Sequence, residues 1–218
     1  MHRQVRYIYG EDMLKIWGRT NSINVQKAMW AIGELGLAHQ RVDAGMQYGA
    51  VNEPWYRAMN PNGRVPTIDD DGFILWESNA VVRYLCSRHG AGNLCPADAR
   101  TRADADRWMD WCTSTIEPVM KPLFWGLIRT APEQRDPRAL EEHGKSMEGL
   151  AAILDAHLAR QPYMSGDSLS MGDIPLGCFI YRWYALPLAR AQFPHLQAWY
   201  ARLSARPAFR EHVMLPLT

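Results

Sequence analysis

The run Asp69-Asp70-Asp71-Gly72 lies between two short apolar stretches, Val65 to Ile68 and Phe73 to Trp76. So short a connection closes a hairpin and cannot span a parallel crossover, so these two strands must pair antiparallel. Upstream, Leu14-Lys15-Ile16-Trp17 alternates apolar and polar, as a half-buried strand does. From Asn24 the apolar residues Val25, Ala28, Met29, Ile32 and Leu35 recur at helical spacing, and Gly36 ends that helix. His39 to Asp43 reads as a second, weaker strand. Glu53 to Met59 reads as a short helix stopped by the turn Asn60-Pro61-Asn62-Gly63. Glu77 opens a helix to about Arg88, with Ala80, Val81, Tyr84 and Leu85 on its apolar face.

Residues 13–90 therefore read βαβαββα, a four-stranded mixed sheet with helices on its faces and a thioredoxin-like topology. Gly90 to Pro96 marks a boundary, and no strand pattern returns after it. Helical stretches follow over about 99–129, 137–160, 171–187 and 193–205, with prolines at or near their ends. The expected organisation is an N-terminal extension (1–12), an α/β domain (13–90), a linker (91–98) and an all-α bundle (99–218).

Composition excludes several classes of function. Lysine plus arginine (24) nearly balances aspartate plus glutamate (23), for a net charge of +1, so no global field draws the chain to nucleic acid or anionic lipid. No uncharged apolar run reaches the ~18 residues of a membrane span; the longest candidate, Ile174 to Ala189, is broken by Arg182. Cys86, Cys95, Cys112 and Cys178 form no CxxC pair and no zinc-type spacing, so neither a metal nor a dithiol redox motif is expected. The N-terminus lacks the apolar core of a signal peptide, and free thiols in a reducing cytosol are the simplest reading. The 9 Trp and 11 Met point to a large aromatic core or an adaptable apolar pocket.

Four local features carry candidate chemistry. Arg19-Thr20-Asn21-Ser22-Ile23-Asn24 precedes the first helix, where small polar side chains serve either as an ordinary N-cap or, with the free N–H groups, as an anion site. In Arg64-Val65-Pro66-Thr67 a proline at a strand start lacks a ladder donor; if cis, it would leave the Val65 backbone free for a peptide-like ligand. In Trp76-Glu77-Ser78-Asn79-Ala80, Glu77 is expected in the first helical turn. Ser78 there offers a hydroxyl and a free N–H to a carboxylate or simply starts the helix. Ser170 and Asp173 have capping-box spacing, with Leu169 and Ile174 as a hydrophobic staple, and read as structural.

Asn60-Pro61-x-Gly63-Arg64-Val65-Pro66, then Glu77-Ser78-x-Ala80, then an all-helical half with Ser170-x-x-Asp173, resembles a cytosolic glutathione transferase over residues 13 to about 210. The run Trp17-Gly18-Arg19-Thr20-Asn21-Ser22 is most similar to a bacterial branch near the theta and nu classes. The resemblance implies that Ser22 hydrogen-bonds the glutathione thiolate, with Asn24 as a second candidate. It implies a cis Pro66, Val65 pairing with the cysteinyl backbone, Glu77 and Ser78 holding the γ-glutamyl end, and Arg64 reaching the glycine carboxylate. Asp106 would reach glutathione from the partner subunit of a homodimer. No tyrosine and no cysteine stands in the loop of residues 19–24, which departs from the tyrosine classes and argues against mixed-disulfide chemistry.

The implied reaction is ionisation of the glutathione thiol and its addition to, or displacement of halide from, a small apolar electrophile. Lowering a thiol pKa by about two units is worth roughly 2.7 kcal/mol, within reach of a hydroxyl or amide donor aided by a helix N-terminus. Among the aromatics of the helical half, Trp108, Trp111, Trp125 and Tyr184 are the candidates for the electrophile pocket, with Phe124, Tyr181 and Trp183 nearby in sequence. A ligandin-like carrier that binds without turnover, and a protein-interaction module on the same fold, are the competing readings.

Overall fold

The computed structural model describes residues 13–218; the expected extension over residues 1–12 lies outside the described residues. The α/β half contains β1 (Leu14–Trp17), α1 (Ile23–Leu35), β2 (His39–Val42), α2 (Pro54–Met59), β3 (Thr67–Asp70), β4 (Phe73–Trp76) and α3 (Ser78–His89). Strand order is β2-β1-β3-β4, with β1 parallel to β2 and β3 antiparallel to both β1 and β4. The hairpin turns at Asp71 and Gly72, both at positive φ, and the Gly72 N–H donates to Asp69 Oδ1 at 2.7 Å. β3 begins at Thr67, two residues later than the sequence suggests, because Pro66 has no N–H to give to a ladder.

The helical half is α4 (Ala99–Trp111), α5 (Glu117–Phe124), α6 (Pro137–Leu158), α7 (Asp173–Ala185), α8 (Pro194–Ser204) and α9 (Pro207–His212). The single helix expected over 99–129 is interrupted by two π-helical segments, Cys112–Ile116 before α5 and Trp125–Arg129 after it. Pro118 and Pro122 between them supply no N–H to the α-helical ladder. Each π segment widens a turn and so shifts the phase of the side chains that follow. Pro207 does more than end α8: it stands at the N-terminus of α9, where its missing donor costs nothing.

Two cores hold the molecule together. Leu14, Ile16, Val25, Ala28, Ile32, Ile68 and Val81 pack the sheet against α1 and α3. The second core fills the helical bundle and takes in Trp30 and Ala31 from the opposite side of α1, so that helix is buried on both faces and joins the halves. Gly177 on α7 makes this possible: a Cβ there would stand 2.7 Å from Cζ3 of Trp30. Asp173, fully buried at the start of α7, accepts from the N–H groups of Ser170 and Met164 (2.9 Å each) and from Trp199 Nε1 (2.8 Å). Ser170 Oγ in turn accepts from the Gly172 N–H at 3.3 Å, so the expected box extends to a second loop and to α8.

Candidate active site

The first helix starts at Ile23 with Ser22 as its N-cap, but the Ser22 hydroxyl makes no capping hydrogen bond. Ser22 is buried, while its backbone carbonyl accepts from the Gln26 N–H at 2.9 Å. The hydroxyl and the uncapped N–H groups at the mouth of α1 are therefore available to a ligand, at the positive end of the helix. Asn24, in the first turn of α1, has its Oδ1 engaged by Ser78 Oγ at 3.2 Å. That bond ties the start of α1 to the start of α3.

The segment before Pro66 is held rigidly. The Arg64 carbonyl accepts from Tyr56 Oη (2.8 Å) and Asn60 Nδ2 (2.9 Å). Thr67 Oγ1 lies within hydrogen-bond distance of the same two side chains. The Val65–Pro66 bond is cis, and Val65 stands outside the β3 ladder. Glu77 is the N-cap of α3 and not part of its first turn, at φ 69 and ψ 111. The cause is the direct join between β4 and α3: with no loop, one residue makes the whole turn. A non-glycine residue there costs about 1–3 kcal/mol and is a feature of functional sites.

These residues meet in one cleft between the halves. A cavity of about 710 Å³ is lined by Asn24, Arg64, Val65, Pro66, Glu77 and Ser78 from the α/β half, and by Asp110, Thr113, Glu117 and Lys121 from the helical half. A smaller cavity of about 170 Å³ adjoins it, sharing Asn24, Arg64, Glu117 and Lys121, and has Ser22 in its wall. Beside Ser22 stand Phe124, Trp125 and Phe179, together with Arg19, Arg129 and Arg182. Burial pushes the Arg182 guanidinium down to about 10, which leaves it charged at neutral pH.

Residues 13–87 match the model described as glutathione S-transferase, N-terminal domain, and residues 137–202 match glutathione S-transferase, C-terminal domain. The chain belongs to the glutathione S-transferase family. It is 41% identical over 208 residues to glutathione S-transferase GstB of Escherichia coli K12, covering 94% of this chain and 100% of that protein. Glutathione S-transferase 3 of Zea mays is 31% identical over 92% of this chain and 93% of its own. Among solved structures, the theta class glutathione S-transferase of Xanthomonas axonopodis pv. citri with glutathione bound superposes with a TM-score of 0.91. It is 48% identical, over 95% of this chain and 100% of that one.

Not every candidate of this transferase reaches the cleft. Trp108 packs in the bundle core against His157 and Trp111, and Trp111 also packs against that core. Tyr184 packs against Trp183 and Tyr200. None of the three lines either cavity, because their faces of α4 and α7 look into the bundle. Trp125, carried on the second π segment, is the one of the four that does. Asp106 takes Arg83 Nε at 2.7 Å and stays outside the cavity, whereas Asp110, one turn on, also pairs with Arg83 and lines it. The cavity that holds Ser22, expected to be apolar, is lined by cationic as well as aromatic side chains. Sequence reading missed Tyr56 and Asn60 as the braces of the Arg64 carbonyl, and it missed Arg129 and Arg182 beside Ser22. A buried Asn inside an Asn-Pro-x-Gly turn was the available signal for the first; nothing local signalled the second.

All four cysteines are buried and free, and burial pushes the Cys86, Cys112 and Cys178 thiols up to about 12. A thiol that cannot ionise is a poor nucleophile. The native protein is expected to give no fast reaction with an aromatic disulfide reagent and four thiols once denatured; a fast native thiol would contradict this. Among the described residues no cluster of His, Cys, Asp or Glu could hold a metal ion, and no helix is long and apolar enough to cross a membrane.

Proposed function

We propose that this transferase binds glutathione along the larger cavity and ionises its thiol at the mouth of α1. Val65 would pair with the cysteinyl backbone, Glu77 and Ser78 would hold the γ-glutamyl end, and Arg64 would take the glycine carboxylate. The thiol would then lie at Ser22 and Asn24. The observation that carries this reading is the hydrogen bond from Ser78 to Asn24, which joins the γ-glutamyl subsite to the thiol loop inside one cleft.

The mechanism asks for no protein base. Ser22 Oγ and the α1 N–H groups donate to sulfur and favour the thiolate, and its proton goes to solvent. The thiolate attacks a small electrophile in the adjoining cavity, by addition or by displacing halide. As the resemblance implies, the enzyme works as a homodimer in a reducing cytosol, with Asp106 of the partner subunit near glutathione, and it clears reactive electrophiles. The test is retention on immobilised glutathione together with a screen of electrophiles. Retention with turnover supports the reading. Retention without turnover favours a carrier, and neither favours an interaction module.

A further inference from the structure

Lys27 on α1 is 1% exposed, and lysine is almost never buried so fully without a partner. Among the described residues it takes part in no hydrogen bond and no salt bridge, and its Nζ lies over the Phe179 ring, 5.2 Å from the centroid. Lys27 nevertheless lines the larger cavity. It stands three residues after Asn24, and residues three apart share a helix face, so the side chain meets the cleft on the wall that presents Asn24. The other charged groups of that cavity are Arg64, Glu77, Arg83, Asp110, Glu117 and Lys121. Arg83 is paired with Asp106 and Asp110, and Arg64 and Lys121 are exposed to solvent. Lys27 is the buried one of the four cations. The Cys112 and Cys178 thiols near it are pushed up to about 12 by burial, so they stay protonated and do not neutralise it.

An unpaired buried ammonium is a net cost to the fold, and an apolar chain of the same length would cost less in its place. Such a group fits a site where a counter-charge arrives with a ligand. Glutathione would bring three negative groups once its thiol is ionised. Its two carboxylates fall to Arg64 and to the start of α3, which leaves the thiolate. The thiol and the thioether product are neutral at sulfur, so a cation in this wall favours the thiolate over both. We propose that Lys27 is a second source of thiol acidification, its ammonium supplying from the wall behind Asn24 the positive charge that the bound thiolate faces. This rests on the reading that glutathione ionises at the mouth of α1. Ser22 and the α1 N–H groups donate the hydrogen bonds, and Lys27 adds the net charge that those donors lack. The thiol proton passes to solvent, and Lys27 neither gives nor takes one.

The test titrates the thiolate absorbance of bound glutathione against pH in the unmodified enzyme and in Lys27→Met, Lys27→Gln and Lys27→Arg. Met and Gln keep a straight side chain and remove the charge, so the thermal midpoint should stay or rise. In both, the bound thiol pKa should rise by about one unit, a ten-fold change in its ionisation constant. Lys27→Arg should keep the lowered value. S-methylglutathione, which has no thiol to ionise, should bind Lys27→Met within about two-fold of the unmodified enzyme, a result that a merely structural role would not give. If Met does not fold at this position, Lys27→Gln carries the same comparison. A bound thiol pKa unchanged in the uncharged variants overturns the proposal, and so does a loss of S-methylglutathione binding that matches the loss of glutathione binding. A thiol that ionises at its unperturbed value in the unmodified enzyme overturns the reading of the α1 mouth itself, and this proposal with it.

Discussion

Replacing Ser22 with alanine is expected to cut conjugation by about 10- to 100-fold while glutathione affinity stays within a few-fold, corresponding to ~1.4–2.7 kcal/mol of lost transition-state stabilisation. The Ser22 hydroxyl makes no cap bond, so its removal leaves α1 standing and isolates the chemical effect. Asn24 is different. Its Oδ1 holds Ser78, so Asn24→Ala should raise KM for glutathione as well as lower kcat. If the two donors share the sulfur, the double variant should lose more than the product of the single losses, because neighbouring donors do not act additively. Steady-state kinetics on the three variants checks this. Unchanged kcat in all three variants would move the whole load onto the backbone amides of α1.

The largest effect on stability is expected at Asp173. Alanine there would leave the Ser170 and Met164 N–H groups and Trp199 Nε1 without their acceptor in a fully buried site. An orphaned buried donor costs ~1–3 kcal/mol, so the total is about 4 kcal/mol or more. At ~2–4 °C per kcal/mol for a chain of this size, the midpoint of thermal unfolding should fall by about 10 °C or more. Asn at this position keeps one acceptor oxygen but turns an NH₂ toward a donor, and should cost less than alanine. A shift under ~2 °C for Asp173→Ala would show that the network does not hold α7, α8 and the preceding loops together.

The parts of this molecule that can be read from sequence are those whose physics is local. The hairpin follows from four turn residues, the antiparallel pairing of β3 and β4 follows from its length, and Ser22, Pro66 and Ser78 stand out because caps and strand starts are decided within a few residues. Trp108, Trp111 and Tyr184 mislead because helical spacing places aromatics on a face without saying which face meets the cleft. The two π segments are invisible to a fixed helical period, and the second of them carries Trp125 and Arg129 to the cavity. The arginine cluster joins the loop before α1, the end of the α5 rod and α7, so only tertiary packing brings it together.

The central claim is that the mouth of α1 makes a thiolate of bound glutathione. Titrating the thiolate absorbance of glutathione bound to the enzyme against pH tests it directly. The account predicts an apparent pKa about two units below the ~8.5 of an unperturbed thiol, moving back up in the Ser22→Ala, Asn24→Ala double variant. Ionisation of the bound thiol at the unperturbed value in the unmodified enzyme would contradict it.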